Sequence, residues 1–93
     1  PMNINHYFDN NVVSIGFDSE QGPVSSGVMA AGEYTFGTSQ DERMVVVHGE
    51  MTVQLPGSDT WLTIAQGAEF NVAANAEFNV KIAQPCAYLC YYG

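Results

Sequence analysis

The stretch of sequence that decides the fold covers residues 42–49 and reads ERMVVVHG. A carboxylate, Glu42, opens the stretch, a run of apolar and β-branched residues follows, and Gly49 closes it. Such a run favours a buried strand, and a His-Gly pair between two such runs favours a tight turn. The stretch therefore predicts a strand over 44–47 that forms a hairpin, through His48 and Gly49, with a second strand over 51–55.

Short β-rich runs, separated by glycine and proline turns, continue on both sides of this stretch. They predict further strands over residues 12–17, 26–30, 33–36, 61–64, 70–72, 78–82 and 87–92. Apolar and polar side chains alternate over 51–55 and 78–82, which is typical of antiparallel strands with one buried face. We therefore expect one all-β domain over residues 1–93, folded as an antiparallel barrel or jelly roll around an internal cavity.

The charge balance excludes one class of partner. Ten acidic residues face only two basic ones, Arg43 and Lys81, and the net charge is −8. Nucleic acids and anionic membranes are bound by clustered lysine and arginine, so we expect neither as a partner. No apolar run approaches the length of about 20 residues that a membrane-spanning helix needs.

The two cysteines indicate the compartment. Cys86 and Cys90 would lie on one face of a strand, about 13 Å apart at about 3.3 Å per residue. That separation is too large for a disulfide bond, so we expect two reduced thiols. Reduced thiols, together with an opening stretch that lacks the apolar segment of a secretory leader, favour a cytoplasmic protein.

The spacing of residues 42–49 resembles part of the metal-binding pattern of the cupins, a jelly-roll superfamily. In the first cupin motif, a glutamate follows two histidines and is separated from a later glycine by six residues, and Glu42 and Gly49 keep that spacing. The two histidine positions are occupied by Phe36 and Thr38, and the histidine position of the second motif is occupied by Phe78. First-row metals usually take three or four imidazole, carboxylate or thiolate ligands, so we expect no metal and no other cofactor.

A narrower resemblance covers nearly the whole chain. The segments YFDNNVVSIGF (7–17), GVMAAGEYTF (27–36), GSDTW (57–61), AEFNV (68–72) and YLCYY (88–92) are similar to the pyrimidine/purine nucleoside phosphorylases, small bacterial cupins. The resemblance implies a pentosyltransferase that cleaves many purine and pyrimidine nucleosides with inorganic phosphate. Its products would be the free base and a pentose 1-phosphate, and the family forms homodimers.

The predicted substrate site follows from the former ligand positions and strand alternation. Glu42 is the first catalytic candidate, for the ribose hydroxyls or for the positive charge that develops on the sugar. Glu33 alternates outward but belongs to the family-like GEYTF, and it is the second candidate. The predicted substrate-binding residues are Tyr34, Phe36, Thr38, Met44, Phe78, Tyr88 and Tyr92, with the aromatic rings assigned to the base.

The phosphate site is less defined by the sequence. Anions are bound by arginine, lysine or converging backbone amides. The family carries a basic residue near position 24, where this chain has Val24. We therefore predict phosphate contacts from Arg43 and from the hydroxyls and amides at Ser25 and Ser26.

Other interpretations of these residues stay open at this point. On composition alone, Phe36 and Phe78 are typical of an ordinary apolar core. The chain as a whole is compatible with a metal-free cupin that binds a small metabolite without turnover, or with a metal-dependent cupin that uses unconventional ligands.

Overall fold

The computed structural model describes residues 1–93 and consists of ten β-strands joined by turns. The strands are β1 (Asn3–Tyr7), β2 (Val12–Ser19), β3 (Gly22–Met29), β4 (Gly32–Gly37), β5 (Glu42–His48), β6 (Met51–Gln54), β7 (Trp61–Ile64), β8 (Glu69–Val72), β9 (Glu77–Ile82) and β10 (Cys86–Tyr92). There is no helix of the length and apolarity that crossing a membrane requires.

The strands form two antiparallel sheets that face each other. One sheet has the order β1-β2-β3-β10-β5-β8, and the other has the order β4-β9-β6-β7. Four strands of the larger sheet and the four of the smaller one form an eight-stranded jelly roll, and the β1–β2 hairpin extends the larger sheet at its edge. The predicted jelly roll is confirmed, as two packed sheets without a continuous hydrogen-bonded cylinder.

The core lies between the two sheets and is built by the predicted alternation. In β6, Met51 and Val53 are fully buried, while Thr52 lies on the opposite face. In β9, Val80 is 1% exposed and pairs with Val53 of β6. Because each sheet turns one face inward, the side chains of alternate positions determine what the interior contains.

The predicted hairpin between 44–47 and 51–55 is wrong. β5 pairs with β10 and β8, whereas β6 pairs with β7 and β9 in the other sheet. Gly49 has φ +81°, and its N–H donates to the side chain of Gln66 instead of closing a hairpin. The turn therefore carries the chain from one sheet to the other, and the buried faces of β5 and β6 meet across the core.

The first strand, β1, was not predicted from the sequence. It reads NINHY, and nearly all of its side chains are exposed. A strand at the edge of a sheet with few buried side chains lacks the apolar alternation by which strands are recognised. Its pairing with β2 is nevertheless regular, from Asn3 opposite Gly16 to Tyr7 opposite Val12.

Candidate active site

A cavity of about 240 Å³ opens between the two sheets, where β4, β5, β9 and β10 meet the turn after β1. Five of the predicted substrate-binding residues and one catalytic candidate line it: Phe36, Met44, Phe78, Tyr88, Tyr92 and Glu42. The sequence did not single out seven further lining residues: Tyr7, Phe8, Ser14, Met29, Thr35, Gly37 and Cys90. The wall is mostly apolar, with one carboxylate.

Aromatic rings form one side of the cavity. Phe36 and Phe78 are opposite each other on β4 and β9, and their rings stack with centroids 5.6 Å apart and an interplanar angle of 27°. Phe8 meets the edge of Phe36 at 5.5 Å, and Phe70 meets Phe78 from the core side at 5.9 Å. A flat aromatic ligand would find several ring faces and edges here.

Tyr34 lies behind this wall. Its ring is 6.1 Å from that of Phe36 and 5.0 Å from that of Phe8. Its hydroxyl donates to the backbone carbonyl of Ala30 at 2.7 Å, and the residue is 6% exposed. Tyr34 therefore supports the aromatic wall from outside the cavity and does not line it.

Glu42 is the carboxylate of the cavity. It opens β5 opposite Tyr92 of β10, and the thiol of Cys90 donates to its Oε1 at 3.6 Å. Loss of hydration on burial raises the pKa of Glu42, and the hydrogen bond from Cys90 opposes that rise. The only salt bridge in the protein joins Arg43 to Glu69, so Glu42 has no cationic partner.

The groups around Glu42 remain protonated at neutral pH. Burial, and next the charge of Glu42, raise the pKa of the Cys90 thiol to about 12. Burial also raises the pKa of Tyr88 to about 12 and raises that of Tyr92, whose hydroxyl donates to Ser25 Oγ at 3.0 Å. Glu42 is thus the group in this cavity that ionises most readily.

A close backbone approach fixes the position of Tyr88. Gly27 of β3 lies opposite it, and a Cβ atom at Gly27 would be 2.6 Å from the Tyr88 ring. Any larger residue would push the ring aside, so the absence of a side chain at Gly27 sets the depth of the cavity on this side.

Two further predicted site residues, Glu33 and Thr38, also lie outside the cavity. Glu33 is exposed on β4, opposite Lys81 in the cross-strand register, and faces away from the cavity. Thr38 is buried, and its hydroxyl donates to the carbonyl of Ala73 at 2.7 Å and accepts from the N–H of Ala76 at 3.0 Å. Thr38 therefore ties the turn after β4 to the turn before β9.

The three predicted phosphate-binding residues are not brought together. Ser25 is buried beside Tyr92, whereas Ser26, its neighbour, is exposed on the opposite face of β3. Arg43 lies over the ring of Tyr91 at 4.1 Å, with Glu69 at 3.6 Å.

Arg43 does line a second opening. A polar cleft of about 580 Å³ lies beside the cavity, and Arg43, Asp41 and Asn71 contribute to it. Glu42 and Tyr92 line both the cleft and the cavity. The two spaces are therefore neighbours that share these two side chains.

The former metal-ligand positions do not form a donor set. Phe36, Glu42 and Phe78 line the same cavity, but only Glu42 carries a ligating atom. No group of three or more His, Cys, Asp or Glu side chains that could hold a metal ion occurs in the chain.

Of the cavity residues that the sequence did not single out, Cys90 had the clearest signal. Cys90 alternates with Tyr88 and Tyr92 on β10, so strand periodicity alone places it on the cavity face. Tyr7 and Phe8 open the family-like segment 7–17, but their joint presence in the cavity depends on a turn that the pattern does not reveal.

The fold and the site define a small cupin-like jelly roll whose cavity combines aromatic rings with one carboxylate. A solved RmlC-like cupin from Shewanella frigidimarina matches with a TM-score of 0.72 over 96% of this chain and 80% of that chain, at 13% identity. A protein of unknown function from Vibrio parahaemolyticus matches with a TM-score of 0.93 over 97% of this chain and 96% of that chain, at 42% identity.

The family model described as "Pyrimidine/purine nucleoside phosphorylase" matches residues 2–92. A relative of that name from Pseudomonas paraeruginosa is 57% identical over 89 residues, which are 96% of each chain. Another from Tolumonas auensis is 52% identical over 91 residues, which are 98% of each chain. The chain belongs to the pyrimidine/purine nucleoside phosphorylase family.

Proposed function

We propose that this protein is a nucleoside phosphorylase that acts on both purine and pyrimidine nucleosides. A phosphate oxygen forms a bond to the anomeric carbon of the sugar as the bond from that carbon to the base nitrogen breaks. The bonding electrons stay with the base nitrogen, which takes up a proton, and the products are the free base and a pentose 1-phosphate. The observation that carries the proposal is a lone carboxylate in an aromatic cavity of a chain that belongs to this family.

Glu42 is the catalytic residue in this proposal. The sugar gains positive charge as the bond to the base breaks, and an ionised carboxylate beside it stabilises that charge. Glu42 is suited to the role because it has no cationic partner and its one hydrogen bond comes from a neutral thiol. A carboxylate that was already neutralised by a salt bridge would interact less strongly with the sugar.

Broad base specificity is supported by the aromatic wall. Phe36 and Phe78 offer ring surfaces without hydrogen-bonding groups. Purines and pyrimidines share a flat π face but differ in their edges, so stacking accepts both, whereas edge recognition would select one.

The phosphate is proposed to enter from the polar cleft. Arg43 is one of only two basic residues in the chain, and it lines that cleft next to Glu42. Phosphate would compete with Glu69 for the guanidinium, whose ion pair at 3.6 Å is exposed and therefore weak. The hydroxyl of Ser25 reaches the same region through Tyr92. No metal or organic cofactor is part of the proposal, and the buried reduced thiols agree with a cytoplasmic location.

We further propose a homodimer that forms through the outer face of the larger sheet. Ile4, Ile15, Phe17 and Val28 expose between 38% and 64% of their surface there. The outward positions of β1, β2, β3 and β10, taken from the strand register, carry none of the ten acidic residues. Since the net charge of −8 makes two copies repel each other elsewhere, this acid-free apolar face is where a second copy fits.

Sedimentation measurements test the dimer. The wild-type protein is expected to have twice the monomer mass, and Val28→Asp is expected to be monomeric because it buries a charge in the interface. Thr52→Asp, on the outer face of the smaller sheet, is the matched control and should stay dimeric. A dimeric Val28→Asp variant would contradict this interface.

The activity is tested by incubating chelator-treated protein with a panel of nucleosides, with and without phosphate, and separating the products by chromatography. We expect free base and pentose 1-phosphate only when phosphate is present. Free base without phosphate would identify a hydrolase. No base in either case would favour a metal-free cupin that binds a small metabolite without turnover.

A further inference from the structure

The turn between β1 and β2 contains an unusual backbone conformation. Three successive residues that are not glycine have positive φ: Phe8 at 52°, Asp9 at 55° and Asn10 at 66°. Asn11 N–H donates to the carbonyl of Phe8 at 3.1 Å, so Asp9 and Asn10 are the two central residues of a tight turn. Asp and Asn tolerate the left-handed region and are common in such turns.

The positive φ of Phe8 is not explained in this way. It precedes the central turn residues, and a bulky side chain in the left-handed region is a genuine outlier. Residues held in this way cluster at functional sites, where the surrounding structure keeps them in place.

The effect of the conformation is to place two successive side chains in one cavity. In an extended strand, neighbouring side chains point to opposite faces, so Tyr7 and Phe8 would be separated by the sheet. Both line the cavity, because the chain turns at Phe8. The Phe8 ring lies 5.0 Å from that of Tyr34 and 5.5 Å from that of Phe36, yet the residue keeps 43% of its surface exposed. Phe8 thus lies at the entrance of the cavity, with part of its surface accessible to a ligand.

We propose that Phe8 is a substrate-binding residue whose ring forms the outer wall of the nucleobase subsite, on which the base of a purine or pyrimidine nucleoside stacks. This inference rests on the proposed nucleoside phosphorylase function. The strained backbone holds the ring over the cavity before the substrate arrives, so the ring needs no ordering on binding. Since the contact is with the base, it affects the nucleoside and not the phosphate.

The test compares three variants by their KM for adenosine, uridine and phosphate, and by calorimetric titration of each nucleoside without phosphate. Phe8→Leu keeps an apolar side chain against Tyr34 and Phe36 and removes the π face, and we expect nucleoside KM and Kd to rise about 10-fold. Phe8→Tyr keeps the ring and is expected to stay close to the wild type. Asn10→Gly keeps the ring and the turn and is the matched control, with unchanged constants.

The phosphate KM and the thermal midpoint separate binding from structure. Both are expected to be the same in Phe8→Leu as in the wild type. Nucleoside constants of Phe8→Leu that match the wild type, or a parallel loss of nucleoside affinity, phosphate affinity and thermal midpoint, would overturn the role of Phe8 while leaving the phosphorylase intact. A wild-type protein that neither binds nor cleaves any nucleoside would overturn the function and this inference together.

Discussion

The space between the two sheets is filled at one end and open at the other. Farther along β5 and β9 from the cavity, Val46 and Val80 belong to the same core cluster as Val53, and each is at most 1% exposed. At the open end, the same two strands contribute Glu42 and Phe78 to a cavity of about 240 Å³. Close packing maximises contact at the first end, whereas a void and a partly dehydrated carboxylate lower stability at the second. One pair of strands therefore supports the fold at one end and the site at the other.

The largest effect is expected from a substitution that removes activity at the open end and leaves the packing of the filled end unchanged. Glu42→Gln keeps the shape of the side chain and removes its charge, so we expect kcat/KM for phosphorolysis to fall by about 100-fold. Steady-state kinetics with uridine and phosphate measure the change, and circular dichroism checks that the strands are retained. A variant within twofold of the wild type would remove Glu42 from the mechanism.

The converse change is made at the filled end. Val53 is fully buried against Val80 and lines no opening, so Val53→Ala leaves a void and is expected to lower the free energy of unfolding by about 2 kcal/mol. Thr52→Ala, on the outer face of the same strand, is the control and should change it by less than about 0.5 kcal/mol. Urea denaturation gives both values. If Val53→Ala changed the nucleoside KM at a temperature where it is folded, the two ends would not be independent.

A smaller effect concerns the pH dependence of stability. Burial raises the pKa of Glu42, so the folded protein binds this proton more tightly than the unfolded chain does. The favourable contribution of Glu42 is therefore complete below its unfolded pKa of about 4.3 and is lost as the pH rises through the raised, folded value. We expect the wild type to lose stability relative to Glu42→Gln over that window, measured by urea denaturation at successive pH values. A constant difference between the two proteins would contradict the raised pKa.

The sequence correctly predicts the strands in which apolar and polar residues alternate strongly. It fails where tertiary packing determines the structure. Apolar periodicity places β6 and β9 correctly, because their burial is the signal itself. The sequence of the turn after β5 is typical of a hairpin. A glycine with positive φ fits a crossing from one sheet to the other equally well, so this signal does not distinguish the two. Pairing partners depend on tertiary packing, which local sequence does not encode.

The candidate site shows the same limit. Alternation places Glu42 and Met44 in the cavity, and the strand register brings Phe36 and Phe78 together. Thr38 follows the end of β4, where alternation no longer applies, and its hydroxyl binds backbone groups of a distant turn. Residues in regular strands are thus predictable by face, whereas residues in turns depend on contacts that form only in the folded chain.

The smallest expected effect concerns Glu33, the second carboxylate that the sequence suggested. It lies on the outer face of β4 opposite Lys81, and the smaller sheet separates it from the cavity. Because water screens charges across that distance, Glu33→Gln is expected to change kcat/KM by less than about twofold. The same kinetic assay that is used for Glu42→Gln measures it. A loss comparable to that of Glu42→Gln would mean that the outer face of the smaller sheet takes part in the reaction, and the contrast between the two ends of the interior would then not define the site.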